Sequence, residues 1–272
     1  MFVNFKSLGL DFFFGTLFAP SNSPMNVAAY KGASALAAYE RWQQSVAQNL
    51  AYAAVTGYRR DQVTFSGLLA ETLRLKNGDQ SSKSVKGVMP ESKSNLDPTT
   101  APVHYTGVET DFAIDGQGFF RVRKPDGTQA YTRAGNFYIN ADRVLVNAQG
   151  HLVDGENGPI QFQQQGGSIY INNIGMIVQG SQPIARIGVF RFADPSQLRR
   201  IGDSLLAPPA GVAPTPVENA ALIHMNLEES NVRPMKETID MLMVGRAYEA
   251  SRKVIDTSDE NAGKAIQYLG NV

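Results

Sequence analysis

Three histidines, His104, His151 and His224, are the only side chains in this 272-residue chain whose ordinary pKa lies near neutral pH. They lie far apart, without the short spacing by which loops and helices bring metal ligands together. Each is read as structural or surface. The chain has no cysteine, which excludes disulfides, thiolate nucleophiles and any zinc site built on Cys. Gly116-Gln117-Gly118 has Arg121 where a dinucleotide-binding loop would carry its third glycine, so it reads as a turn. Asp111, Asp115, Asp126 and Asp142 fall at turn-like positions, where Asp bonds its own backbone. Nothing supports pairing two of them for hydrolysis. The expectation is a non-enzyme with no cofactor, no metal and no small-molecule substrate. Two readings of other classes stay open: a glycan-processing enzyme, which needs paired carboxylates, and a secreted β-rich binding module, which needs an exposed aromatic or acidic site.

The elements that would hold such groups are drawn with few charges. Charged residues make up 18%, against roughly 25% in an average soluble domain, while 43% hydrophobic residues suffice for a core. Lys+Arg and Asp+Glu both total 25, so no net field steers the chain toward nucleic acid. The length allows one large domain or two modest ones.

Both ends read as helix. Ala29, Gly32, Leu36, Tyr39, Gln43, Val46, Leu50 and Ala53 recur at steps of three and four, which predicts a helix over 26–53 about 42 Å long. Its remaining positions are mostly Ala, Ser, Gln and Asn, a composition that suits neighbours on several sides better than a solvated face. Gly57 is placed to end it in the left-handed conformation. After Pro234, Met241, Tyr248, Ile255, Ala262 and Leu269 fall at intervals of seven, with Val244, Ser251, Ser258 and Ala265 as small companions. This predicts a second helix over 235–269, about 52 Å long.

Between them the periodicity changes. Residues 76–102 are rich in Ser, Pro, Gly and Asn, a linker composition. Gly118–Arg123 and Ala130–Arg133 alternate about Pro125-Asp126-Gly127, a hairpin signature, and Ile169–Ile171 and Arg186–Phe192 continue the pattern. The expected fold is α+β: long N- and C-terminal helices forming a coiled-coil-like layer, with a central all-β domain. Its expected divisions are an extension over 1–24, an N-terminal helical segment over 25–72, a linker over 73–105, a β domain over 106–225 and a C-terminal helix over 226–272. The first 24 residues lack both an uninterrupted apolar span and the pattern of a cleaved signal, because Asn4, Lys6, Ser7 and Asp11 interrupt them. Met25 is the expected working start.

Three stretches resemble one family. Asn49-Leu50-Ala51-Tyr52-Ala53-Ala54-Val55-Thr56-Gly57-Tyr58-Arg59-Arg60 is similar to the N-terminal signature of flagellar rod and hook axial proteins, although Tyr52, Ala54 and Val55 replace polar residues usual there. Thr110–Phe120, with Asp115, Gly116, Gly118 and Phe119, followed by Tyr131–Phe137, resembles the family's central motif. Leu227–Val232, with Ser230 and Asn231, then Arg246-Ala247-Tyr248-Glu249 and Lys253-Val254-Ile255, resembles its C-terminal motif. Gly155–Ile160 and Asp259–Lys264 resemble the proximal rod subtype, the F type, more than the distal one; a distal rod or hook-type paralogue is the alternative.

The resemblance implies a structural subunit of the basal-body rod in the periplasmic space. It implies export without a cleaved signal by the flagellar type III apparatus, and polymerisation through the terminal helices so that torque passes along the axis. The implied partners are further copies, other rod subunits and the export apparatus, with no nucleic acid. Of the two heptad seams, Leu36, Tyr39, Val46, Leu50, Met241, Tyr248, Ile255, Ala262 and Leu269 are the expected assembly residues.

Overall fold

The computed structural model describes residues 24–73, 85–164, 166–172, 175–202, 204–218 and 220–270. The expected start at Met25 concerns residues 1–23, which lie outside them. Among the described residues two helices, α1 (Pro24–Ala51) and α2 (Pro234–Gly270), bracket nineteen strands. In chain order these are β1 (Asp61–Leu73), β2 (Val85–Leu96), β3 (Val103–Tyr105), β4 (Phe112–Ile114), β5 (Phe119–Arg123) and β6 (Gln129–Thr132). There follow β7 (Tyr138–Ile139), β8 (Leu145–Val146), β9 (Leu152–Gly155), β10 (Gly158–Pro159), β11 (Ile169–Ile171), β12 (Met176–Gln179) and β13 (Gln182–Arg186). The last six are β14 (Val189–Arg191), β15 (Arg199–Gly202), β16 (Leu205–Ala207), β17 (Thr215–Pro216), β18 (Leu222–His224) and β19 (Asn226–Glu228).

The hairpin about Pro125 forms in the expected register. β5 pairs antiparallel with β6, Phe120 opposite Thr132 and Arg123 opposite Gln129, and Gly127 turns the chain at φ +82°. These strands lie in a ten-stranded antiparallel sheet whose main order is β15-β16-β6-β5-β9-β8-β7. One face of alternating residues fills the core, including Phe112, Phe120, Val122, Leu145, Val153 and Ile160, all within 3% of complete burial. A second cluster gathers Phe119, Tyr131, Phe190, Phe192 and Leu206 on another part of the sheet. There Tyr131 meets Phe192 edge-on at 4.9 Å, a geometry aromatic quadrupoles favour.

The expected architecture of a coiled-coil-like helical layer around a central β domain is not what forms. The described residues form two helices and a large antiparallel sheet system, and the division into compact units cuts across both helices. One unit comprises Ala38–Ser66 with Ser92–Ala247, and so holds the second half of α1, the first half of α2 and all strands from β3 onward. The other comprises Met1–Ala37, Gly67–Glu91 and Tyr248–Val272. The physical reason is that a heptad fixes the apolar stripe but not what fills it. In the larger unit the stripe is taken by the chain's own polypeptide: Val46 is 2% exposed and Val244 1%.

Strands also begin earlier than expected. β1 and β2 form a two-stranded ribbon where the sequence reads as the end of a helical segment and a Ser-rich linker. In the smaller unit, Gly32 of α1 lies under Ile255 of α2; a Cβ on Gly32 would come within 2.5 Å of that side chain.

Candidate functional site

The three quoted stretches meet in one buried polar junction within the larger unit. Asn49, on the last turns of α1 and 1% exposed, uses its whole amide. Its Nδ2 donates to the Asp61 carbonyl at 2.8 Å and to Glu237 Oε2 at 3.1 Å. Its Oδ1 accepts from the Asp61 N–H at 2.9 Å and from the Tyr58 hydroxyl at 3.2 Å. An amide has two donors and two lone pairs, so no other side chain of this size could replace it.

Behind α1 the chain turns at Gly57, where φ is +66°. A Cβ there would lie 2.1 Å from the Ala134 backbone nitrogen, and the Gly57 N–H donates to the Glu228 carbonyl at 2.8 Å. Glycine is required twice over, for its conformation and for the close approach of the 131–137 stretch. Tyr58 follows, fully buried, with Tyr52 stacked on it at 5.2 Å and the Arg200 guanidinium 4.1 Å from its ring centre. Burial pushes the Tyr58 hydroxyl well above the usual phenol range, against the opposing pull of Arg200.

Glu228, at the end of β19 and 1% exposed, is the anionic centre. Arg59 Nη2 donates to its Oε1 at 2.6 Å, and Arg133 Nε stands 2.7 Å from its Oε2. Arg133 also donates to the carbonyls of Gly118 at 2.9 Å and Gly116 at 2.7 Å. That contact explains the two glycines, whose φ values of +140° and +107° aim those carbonyls inward. Two guanidinium groups thus face one carboxylate out of water. Burial lowers the Arg133 pKa to about 10, with Glu228 opposing the shift and Arg59 adding to it. Arg133 stays charged at neutral pH.

A second set of contacts ties in α2. Glu237, in its first turn and fully buried, is ion-paired to Arg60 as well as bonded to Asn49. Asn231 Oδ1 accepts from the Arg60 N–H at 2.6 Å, while its Nδ2 donates to the Thr99 carbonyl at 3.0 Å. Buried Ser230 accepts from the Val232 N–H at 3.2 Å. Beside this set opens a cleft of about 470 Å³, lined in part by Arg60, Asp97, Thr99, Asn231, Arg233 and Lys236.

Chemically, this arrangement can hold distant segments of the chain together. The two guanidinium groups are held by Glu228 and by the Gly116 and Gly118 carbonyls, although Arg59 Nε and Nη1 have no hydrogen-bond partner, and no His, Cys, Asp or Glu group among the described residues is arranged to bind a metal. His224 stacks on Phe112 and bonds the Glu109 backbone carbonyl, and His104 stands 3.4 Å from Glu229 at the surface.

Of the motif residues, Asn49, Gly57, Tyr58, Gly116, Gly118, Ser230 and Asn231 come together here. Thr56 is half-buried at a smaller cleft with Asn136 and Asn147. Asp115 is exposed at the turn, Phe119 is buried in the sheet, Tyr248 is half-buried and Glu249 is exposed. The expected seam residues Leu36, Tyr39, Leu50, Met241, Tyr248 and Ile255 are half-buried in the single chain, and Val46 is buried. The side chains of Ala262 and Leu269 lie outside the described residues. The residues that sequence reasoning missed are Arg59, Arg133, Glu228 and Glu237. Their signal was present: in a charge-poor chain, the first three sit inside the quoted stretches.

Comparison with known proteins agrees with those stretches. Residues 113–179 match the family described as the flagellar hook protein FlgE/F/G D1 domain. Residues 226–268 match the C-terminal region of the flagellar basal body rod FlgEFG protein. The flagellar basal-body rod protein FlgF of Caulobacter vibrioides is 32% identical over 249 residues, covering 91% of this chain and all of the relative. FlgG of Bacillus subtilis is 30% identical over 85% of this chain and 94% of its own length. FlgF of Mesorhizobium japonicum is 29% identical over 91% of this chain and 99% of its own length, in keeping with the F-type resemblance.

Proposed function

The chain belongs to the flagellar basal-body rod protein family, and from that premise we propose how it serves the rod. It is a structural subunit of the bacterial flagellar basal body, and family membership implies both assembly with other rod subunits and the absence of enzymatic activity. No helix among the described residues is long and apolar enough to cross a membrane.

The finer reading is that of a proximal, F-type rod subunit, supported by the full-length likeness to FlgF of Caulobacter vibrioides. In this reading the chain passes the flagellar export apparatus and binds neither nucleic acid nor a small substrate. It carries torque through its terminal helices. The observation that carries the mechanical part is the junction. Glu228, Arg59, Arg133, Asn49 and Glu237 clamp the base of each helix to the sheet, so load on a helix reaches the β unit through charge-assisted bonds, the strongest the chain has. The seam residues contribute to assembly through the surface the chain leaves open on them.

The test is deletion of the gene, with basal bodies isolated from the deletion strain and from a complemented one. Loss of the rod and of swimming, restored by the gene, is expected. A deletion strain that builds a complete rod and swims would overturn the reading.

A further inference from the structure

After β8 the chain turns at Asn147, whose side chain is only half used although it is 4% exposed. Its Oδ1 accepts from the N–H groups of Gln149 at 3.1 Å and His151 at 2.8 Å, which holds the turn. Its Nδ2 donates to nothing among the described residues. A buried amide donor without a partner gives up hydration for no return, and such a group in a native chain calls for an explanation. Nδ2 is not sealed by protein, and Asn147 lines the cleft of about 260 Å³ that Thr56 and Asn136 share. Ser204, 7% exposed, lines it too. It accepts only a long bond of 3.5 Å from Thr132, and its own O–H has no acceptor among the described residues.

Among the described residues no charged side chain lines this cleft, which disfavours an ionic ligand. The half-buried Asn136 amide and Thr56 hydroxyl make no side-chain hydrogen bond among the described residues, and Ala54, Val55 and Ala134 add apolar ground of methyl size. The Ala134 N–H is taken by the Thr132 hydroxyl, the Asn147 N–H by the His151 carbonyl and the Asn147 carbonyl by Gly150. The cleft therefore offers side chains, not a strand edge for a peptide to join. It is slightly smaller than the roughly 300–1,000 Å³ usual for ligand pockets, so it suits one compact unit. We propose that it binds an uncharged N-acetylated amino sugar. The acetamido carbonyl accepts from Asn147 Nδ2 and the Ser204 hydroxyl, the methyl rests on the three small side chains, and ring hydroxyls meet Asn136 and Thr56. This ligand is additional to the rod reading and does not depend on how subunits join.

The test is titration of the purified full chain, followed by saturation-transfer NMR, with N-acetylglucosamine, glucose and the uncharged peptide unit N-acetylalanine methylamide. N-acetylglucosamine should bind in the millimolar range and glucose roughly tenfold more weakly, because a site built to bond one group rejects the analogue lacking it. Asn147→Asp keeps the oxygen that holds the turn and removes the Nδ2 donor. Ala54→Leu fills the apolar ground from an exposed position and touches no hydrogen bond. Each should weaken the sugar roughly tenfold, and Ala54→Leu decides should Asn147→Asp fail to fold. The tetramer of N-acetylglucosamine separates two sources: tighter binding than the monomer assigns a glycan strand, equal binding a free or terminal sugar. The proposal is overturned if the parent binds nothing at tens of millimolar sugar, if glucose or the peptide unit binds as well as N-acetylglucosamine, or if a folded variant binds like the parent. Because binding is read on the purified chain, its failure leaves the rod reading intact, and a strain that swims without the gene leaves this site intact.

Discussion

The sheet core and the ionic junction bury their residues equally well and do different work. Phe112, Phe120, Val122 and Leu145 are interchangeable with other apolar residues of similar volume, because dispersion and the hydrophobic effect are non-directional. Arg59, Arg133, Glu228, Asn49 and Glu237 are not, because each atom requires a partner at a fixed angle. The core stabilises the unit; the junction specifies where residues 49–61 and 227–237 dock on it. A buried ion pair is weak evidence of net stability, yet removing one partner is costly.

That contrast can be broken by substitution. Glu228→Ala should have the largest effect, about 3–5 kcal/mol, because it strands two buried guanidinium groups; chemical denaturation of the purified chain measures it. Phe120→Ala, the core control, should cost about as much through its cavity. A Glu228→Ala loss below 1 kcal/mol would show that the junction is ornamental. Gly57→Ala comes next, at about 2 kcal/mol or more, since it combines a left-handed backbone with a backbone overlap; unchanged melting would refute the close approach to Ala134. Tyr58→Phe should cost about 0.5–1.5 kcal/mol at pH 7.

Tyr58 also carries a pH signature. Its folded pKa is raised, so its contribution is complete below the unfolded value near 10 and is lost as pH rises beyond it. The gap between parent and Tyr58→Phe should therefore narrow between about pH 10 and 12, and a constant gap would contradict burial of the hydroxyl. The smallest effect, within about 0.5 kcal/mol, is expected for Glu156→Ala, whose ion pair with Arg186 lies at the surface.

The sequence revealed turns and strands better than it revealed packing. Pro125-Asp126-Gly127 announced its hairpin because a left-handed glycine leaves few other choices. Gly57 is left-handed as expected, but α1 ends six residues before it, at Ala51, and the glycine turns the chain against Ala134 instead of capping the helix. β1 and β2 were illegible. Val85–Leu96 contains Lys86, Pro90, Ser92 and Ser94, and its sequence lacks the apolar–polar alternation by which strands are recognised. The heptads of α2 located its inward face through Val244 and Ile255 but gave no hint of an exposed apolar stripe elsewhere on it, since Met235 and Leu242 are out of phase with the seam. Asn49, Gly57 and Asn231 were marked by resemblance, while the reason for each lay in partners remote in sequence.

That remoteness has a kinetic consequence. Arg59 meets Glu228 across 169 residues and Asn49 meets Glu237 across 188, so closing the junction means closing a loop of more than half the chain. The entropic toll of such closure falls before any bond repays it, and contacts of this sequence separation slow folding. Whichever end of the polypeptide is available first, its half of the junction must wait, with Arg59 and Asn49 hydrated on one side or Glu228 and Glu237 on the other. A chain that stops between residues 133 and 227 contains the β5–β6 hairpin but lacks the residues of the clasp. Residues 228–237 are therefore a checkpoint: only a polypeptide that reaches them can lock.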